Sequence, residues 1–437
     1  MAGLKRSGAG STGVAVLGCG IVGGAVVQGL LTDGGLIARR AGVKLELRHV
    51  VERSAERVKQ LGVPGKLVRG DLEAVLKDKG TQVVVELIGG VEPARTLMLA
   101  AIKAGKHIVT ANKYLLAMHG REIFDAARRA GVCVQFEAAV GGAIPIIKAL
   151  SQSLLANDIS RVVGIVNGTC NYILTQMTQH GQSYADALAG AQAAGFAERD
   201  PTFDVNGTDT AHKLAILSML AFGAQVPLEK IGVTGIDTLS DIDLRFAKEF
   251  GYVCKLLAIG EKTGKGLSLR VHPTFVSGEQ LLANVHGSFN AIAVQGHRAD
   301  QTVYFGRGAG GVPTSSAVIS DVIDIALGTA PMLFKQLPAM AGREKVAILP
   351  ASGIVCRNYL RVTALDVPGV MAQITNILSR HGISLAGVNQ HESKAGQSVP
   401  IVITTHEAKE GDVKEAIGEI DQLKSITANT VRIRVLG

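Results

Sequence analysis

The chain reads as α/β in class, and three observations carry that reading. Short β-rich runs take turns with helical stretches over the first 140 residues, and a glycine-rich turn stands between the first run and the first helix. The last 80 or so residues run strand, helix, strand, strand, helix, strand. These imply a parallel α/β region, an α+β region behind it, and a ferredoxin-like C-terminal region.

The elements follow in order. Strands are expected at 14–17, 44–51, 83–87, 107–110 and 132–136, because each is a short apolar or β-branched run bounded by turn residues. Between them 21–31, 54–61, 93–104 and 121–130 read as helices, with Pro93 in the first turn of the third. From about Ala143 helical stretches dominate. After Tyr252 two strands, 255–259 and 267–276, flank the turn Thr263-Gly-Lys-Gly266, which points to an antiparallel pair. Pro338 and Pro350 punctuate a linker at 335–355. The tail then gives strand 359–364, helix 370–381, a strand, strand 399–405, helix 411–423 and strand 426–435. The expected domains are 1–140, 141–312 and 356–437.

Composition narrows the function classes. Of 437 residues 47% are hydrophobic and 19% charged, a globular balance. The net charge of +8 comes from 45 basic against 37 acidic residues spread along the chain without a basic run. Aromatics are 4% with no Trp, which leaves few stacking platforms, so nucleic acid is not the expected ligand. No stretch approaches the roughly 20 apolar residues that span a bilayer. Residues 1–13 lack a signal-peptide core, so a cytoplasmic protein without membrane partners is expected. The five cysteines, 19, 133, 170, 254 and 356, form no CxxC pair and read as reduced core thiols.

Several motifs carry chemistry. Gly18-Cys-Gly20-Ile21-Val22-Gly23 follows the first strand and opens the first helix, the context in which glycines bring a helix N-terminus against a pyrophosphate; a plain tight turn is the alternative. Glu52 ends the second strand, where an acid bonds an adenosine ribose and favours NAD. Arg53 and Arg57 lie beside it and would suit the 2′-phosphate of NADP. Lys113, in Thr110-Ala-Asn-Lys113, stands at the C-terminal end of a parallel strand, where open sheets place ligands. Glu198, Asp200, Asp204 and Asp209 fall within twelve positions, and Lys213 follows Asp209 at i+4 on one helix face. Such a pair by itself reads as a structural salt bridge; clustered acids beside a lysine suit a substrate bearing an ammonium group.

Taken together, Gly18 to Gly23, Thr110 to Lys113, Glu137 to Gly142, Asn167 to Leu174 and Gly195 to Lys213 resemble, in order, the motifs of homoserine dehydrogenases with a C-terminal ACT domain. The resemblance runs from Val14 to nearly the end. It implies a Rossmann-type domain, an α+β substrate and oligomerisation domain and an ACT domain, with the helix near 313–330 returning to the first domain. It implies interconversion of L-homoserine and L-aspartate 4-semialdehyde with NAD or NADP. Glu198 and Asp209, with Asp204, would bind the amino acid; Lys213 would pass the proton, with Lys113 close by and able to share that role. Gly89, Gly195, Gly308 and Gly310 would join the glycine loop in holding the cofactor. A sodium ion would sit on main-chain oxygens of Glu137, Val140, Gly142 and Ile144. Leu365-Asp-Val-Pro-Gly-Val370 and Asn389-Gln-His391 are similar to the ACT pattern, which implies L-threonine as effector and a homo-oligomer, dimer or tetramer. A non-catalytic amino-acid sensor on the same folds is the rival reading, and the four charged residues Lys113, Glu198, Asp209 and Lys213 argue against it.

Overall fold

The computed structural model describes residues 11–237, 239–336, 346–390 and 397–437. By packing, the chain divides into two compact units. The first comprises Met1–Ile159, His212–Leu228 and Val294–Lys345; the second comprises Ser160–Ala211, Glu229–Ala293 and Val346–Gly437.

The first unit is built on a six-stranded, wholly parallel sheet. Its spatial order is Val68–Arg69, Leu45–Val51, Thr12–Leu17, Thr81–Glu86, His107–Thr110, Val134–Gln135. That is the 3-2-1-4-5-6 order of a dinucleotide-binding fold. Val14 to Leu17 are wholly buried, as a central strand covered on both faces must be. Five of the six strands match expectation to within two or three residues. Val68–Arg69 has two residues and no apolar run to announce it.

Three helices differ from the sequence reading, one of them the short, unexpected Glu73–Lys77. The helix expected at 121–130 spans Lys113–Ala130, because the Asn112 side chain caps it, accepting from the Leu115 N–H at 3.1 Å. Its buried positions, Leu115, Leu116, Gly120, Ile123, Phe124 and Ala127, keep a three-to-four spacing back to the cap. The long segment before the second strand holds the unexpected helix Gly34–Ala41, closed by Gly42 at φ 70°. Near the end of this unit the helix Gly311–Leu327 lies on the helix Ile21–Thr32. A Cβ on Gly29 would come within 2.7 Å of Ile319, and one on Gly311 within 2.9 Å of the Ile21 carbonyl.

In the second unit the expected hairpin is longer than its apolar core. Tyr252–Thr263 and Gly266–Ser277 pair antiparallel from Tyr252 opposite Ser277 to Thr263 opposite Gly266. Past them the sheet continues as Ile426–Val435, Val355–Leu365, Ser398–Thr405 and Leu385–Gln390, the 4-1-3-2 order of a ferredoxin-like fold. The last strand joins the hairpin in parallel at two positions, Thr274 with Arg434 and Phe275 with Val435. The helices Val370–Arg380 and Glu410–Ile420 bury Ile374, Leu378, Val413 and Ile420 against Leu360, Val362, Ile401 and Ile403. On the opposite face Arg361 forms a two-point ion pair with Asp243 of the helix Asp241–Glu249, at 2.6 and 3.0 Å, and the Tyr359 hydroxyl donates to the same carboxylate at 3.0 Å. His391 and residues 337–345 of the expected linker lie outside the described residues. No single described helix is long and apolar enough to cross a membrane.

Candidate active site

The glycine loop joins the strand Thr12–Leu17 to the helix Ile21–Thr32. Gly18 sits at φ 87°, a conformation that favours glycine, and a Cβ on Gly23 would stand 2.0 Å from the Gly18 carbonyl oxygen. Gly20, by contrast, has open space where a Cβ would point, so the loop presents bare backbone at the head of a twelve-residue helix. That cradle suits a pyrophosphate, with Ile21 and Val22 supplying the first N–H groups of the helix.

Glu52 is tied into this loop. One carboxylate oxygen accepts the Cys19 N–H at 2.7 Å, and the other accepts the Ser54 N–H at 3.0 Å. Burial opposes ionisation, but these backbone donors prevail and hold its carboxyl below the ordinary value. From the other side the Arg57 Nε donates to the Cys19 carbonyl at 2.6 Å. Arg53 is exposed. Arg57 and Gly20 also line a groove of about 1020 Å³ with Gln28, Leu61 and Val312.

A second chain of bonds wires the ends of the next two strands. Glu86, wholly buried, accepts from the Ile88 and Gly89 N–H groups at 2.8 and 3.2 Å and from the Thr110 hydroxyl at 2.8 Å. Thr110 Oγ1 accepts the Asn112 N–H at 2.9 Å, and the Asn112 amide donates to the Gly90 carbonyl at 2.7 Å. Gly89 is thereby fixed at φ 83° and Lys113 is placed, half-buried, at the first position of its helix. Tyr114, the next residue, stacks on His212, which precedes the buried Lys213.

The segment 137–144 is also in the first unit. Glu137, Val140 and Ile144 are buried, and Gly141 and Gly142 turn the chain at φ 74° and 56°. The Glu137 carboxylate accepts the Ile147 and Lys148 N–H groups at 2.8 and 2.9 Å, while its own N–H donates to Asp321 at 2.8 Å. Burial, and next the charge of Asp321, pushes the Glu137 carboxyl up to about 8. Gly142 lies so close to the Gly308 carbonyl that a Cβ would come within 2.6 Å, and Gly310, at φ 116°, caps the helix Gly311–Leu327.

In the second unit Asn167 gathers the acids. Its Oδ1 accepts the Cys170 N–H at 2.8 Å and so caps the helix Gly168–His180. Its Nδ2 donates to Asp204 at 2.8 Å and to Asp209 at 3.0 Å. The Thr169 hydroxyl reaches Asp204 at 3.2 Å. Asp209 is buried in the first turn of the helix Thr208–Phe222, which carries Lys213 four residues on. Glu198 and Gly195, the latter at φ 73°, are exposed in the loop after the helix Tyr184–Ala193. Asp200 instead accepts from Thr202 N–H and hydroxyl, a local turn.

Sequence reasoning missed Glu86, and it gave no role to Asn112 or Asn167. The signal for the asparagines was present, since each precedes a helix. Burial raises the Cys133 and Cys254 thiols to about 12 and the Cys19 thiol to about 11, while the Cys170 thiol donates to the Asp204 carbonyl at 3.2 Å.

Comparison with known proteins agrees with this geometry. Residues 18–137 match the family described as homoserine dehydrogenase, NAD binding domain; 145–323 match homoserine dehydrogenase; and 358–425 match the ACT domain. The homoserine dehydrogenase of Neisseria gonorrhoeae is 42% identical over 426 residues, covering 97% of this chain and 98% of that relative. The crystal structure of a homoserine dehydrogenase from Thiobacillus denitrificans superposes with a TM-score of 0.92 at 41% identity, over 98% of both chains. A hyperthermophilic archaeal homoserine dehydrogenase mutant, solved in complex with NADPH, gives a TM-score of 0.61 at 26% identity over 73% of this chain and 98% of that one. With the parallel sheet, the glycine loop and the gathered acids already in place, these matches show that the chain belongs to the homoserine dehydrogenase family.

Proposed function

We propose that the chain catalyses the reversible interconversion of L-homoserine and L-aspartate 4-semialdehyde with NAD or NADP, a step toward threonine, methionine and isoleucine. The observation that carries this reading is the Asn167 amide, which draws Asp204 and Asp209 together at the head of the helix bearing Lys213. Asp209 and Asp204, with Glu198, hold the substrate ammonium. Lys213 takes the hydroxyl proton during oxidation and returns it to the developing alkoxide during reduction. Lys113 steadies the charge on the same oxygen. A bound nicotinamide supplies the hydride acceptor or donor.

The cofactor is held by Gly18, Gly20 and Gly23 and by the turns at Gly89, Gly195, Gly308 and Gly310. Glu52 speaks for NAD and Arg53, with Arg57, for NADP; the loop bonds of Glu52 leave its carboxylate ionised beside the Arg57 guanidinium. The main-chain oxygens of Glu137, Val140, Gly142 and Ile144 hold a sodium ion, the α+β region supplies homo-oligomer contacts, and the ACT domain takes L-threonine as effector. The site of action is cytoplasmic. The test follows nicotinamide absorbance with L-homoserine and each cofactor in parallel, with and without threonine. Homoserine-dependent reduction supports the reading, and the cofactor ratio decides between Glu52 and Arg53. Folded protein that turns over neither cofactor, with sodium present, contradicts it.

A further inference from the structure

Within the second unit, a cavity of about 110 Å³ sits where the last strand of the ACT domain joins the hairpin of the catalytic part. Its wall is one face of the sheet. Arg270, His272 and Thr274 alternate along Gly266–Ser277 and so share a face. Arg434 stands opposite Thr274 on the parallel neighbour, and Arg161 stands opposite Glu261 at the other side. Cys356, Arg357, Glu407 and Gly437 also line it.

The charges here do not cancel. Glu261 pairs with Arg270 at 3.2 Å and lies 3.9 Å from Arg161. Glu410, behind the wall, binds both Arg432 and Arg434. With Arg357 and Glu407 the neighbourhood holds five guanidiniums against three side-chain carboxylates and the Gly437 carboxylate, whose oxygen accepts from Arg161 at 3.2 Å. Three polar atoms are buried without a hydrogen-bond partner among the described residues: Arg161 Nε, Arg270 Nε and His272 Nε2. Arg270 and His272 are themselves only 6% and 2% exposed. Buried polar atoms in that condition cost stability unless something completes them, and water-sized space lies beside them. His272 is kept neutral, first by burial and then by Arg434 and Arg270, so the ring adds a polar atom without adding a charge to be matched.

We propose that this cavity is a binding site for a small anion, a phosphate or carboxylate group, held by Arg161, Arg270 and Arg434 with His272. It is remote in sequence from the Leu365 to Val370 turn of the ACT domain. An anion there ties the last strand to the hairpin, which otherwise share only two paired positions.

The test titrates the full chain with inorganic phosphate and, separately, with succinate, at constant ionic strength made up with chloride. Heat of binding and thermal unfolding are read together. Saturable binding of either probe at about a millimolar or tighter is expected, with a rise in unfolding temperature. Phosphate alone would name an oxyanion site and succinate alone a carboxylate site. Arg270→Met and His272→Gln should each weaken that binding at least tenfold and severalfold respectively. Should Arg270→Met fail to fold, the partly exposed Arg161→Met replaces it. No saturable binding of either probe, or equal binding in wild type, His272→Gln and Arg161→Met, overturns the proposal.

Discussion

The rings of Tyr114 and His212 stack with centroids 4.9 Å apart and planes 22° from parallel. Each neighbours a lysine in sequence, Lys113 before Tyr114 and Lys213 after His212. The stack thus fixes the start of the helix Lys113–Ala130 against that of the segment His212–Leu228. Replacing His212 by Ala should cost about 0.5–1.5 kcal/mol of stability beyond lost packing, the worth of an aromatic pair. Turnover should fall about tenfold through misplaced lysines while the homoserine KM changes little. His212→Phe, which keeps a ring, should recover most of both. Denaturant unfolding and steady-state kinetics on the two variants check this.

Asn167→Ala removes an amide shared by Asp204 and Asp209. Two adjacent carboxylates then lose a common donor, so the homoserine KM should rise about tenfold or more with a smaller change in kcat. Asn167→Asp adds a third acid and should be worse at neutral pH. Kinetics at fixed, saturating cofactor distinguish this from a cofactor defect.

The C-terminal domain hangs on Asp243 as well as on its strand. That carboxylate is wholly buried and satisfies Arg361 and Tyr359 together. Asp243→Ala leaves a guanidinium uncompensated, and unfolding should lose about 3–5 kcal/mol. Limited proteolysis should then release the tail before the remainder.

Acid sensitivity has a local origin at Asp78. Chiefly through the Arg48 guanidinium, aided by the Gly80 N–H, Thr81 and His49, its carboxyl is held well below the usual carboxylate range. A carboxyl with a depressed folded pKa stabilises fully above its unfolded value, near 3.9, and that contribution is lost as pH falls through the folded value. Asp78→Asn should therefore lower stability at neutral pH and flatten its decline in acid. Urea unfolding at neutral pH and at about pH 3 measures both.

What could be read in advance follows from the range of the interactions. The alternation of strands and helices, the ferredoxin-like tail and the residues Gly18 to Gly23 are local patterns, and periodicity and turn chemistry expose them. Glu86 is different: it is one acid at the end of an apolar strand, and its role arises only when Thr110 is brought beside it, 24 residues away. Asp243 reaches Arg361 across 118 positions, and no spacing rule connects them. Lys113 was legible as a strand-end residue, yet its helix begins eight residues before the expected start, where the Asn112 cap sets its end and the apolar spacing already runs back to it.

Lys213 is the proposed proton carrier in homoserine oxidation. The direct measurement compares wild type with Lys213→Ala at saturating L-homoserine and cofactor, after both are shown to be folded. Homoserine-dependent cofactor reduction in the wild type, falling by about two to four orders of magnitude in the variant, is the predicted result. Near wild-type turnover in Lys213→Ala would contradict the assignment, and absence of turnover in both would contradict the reaction itself.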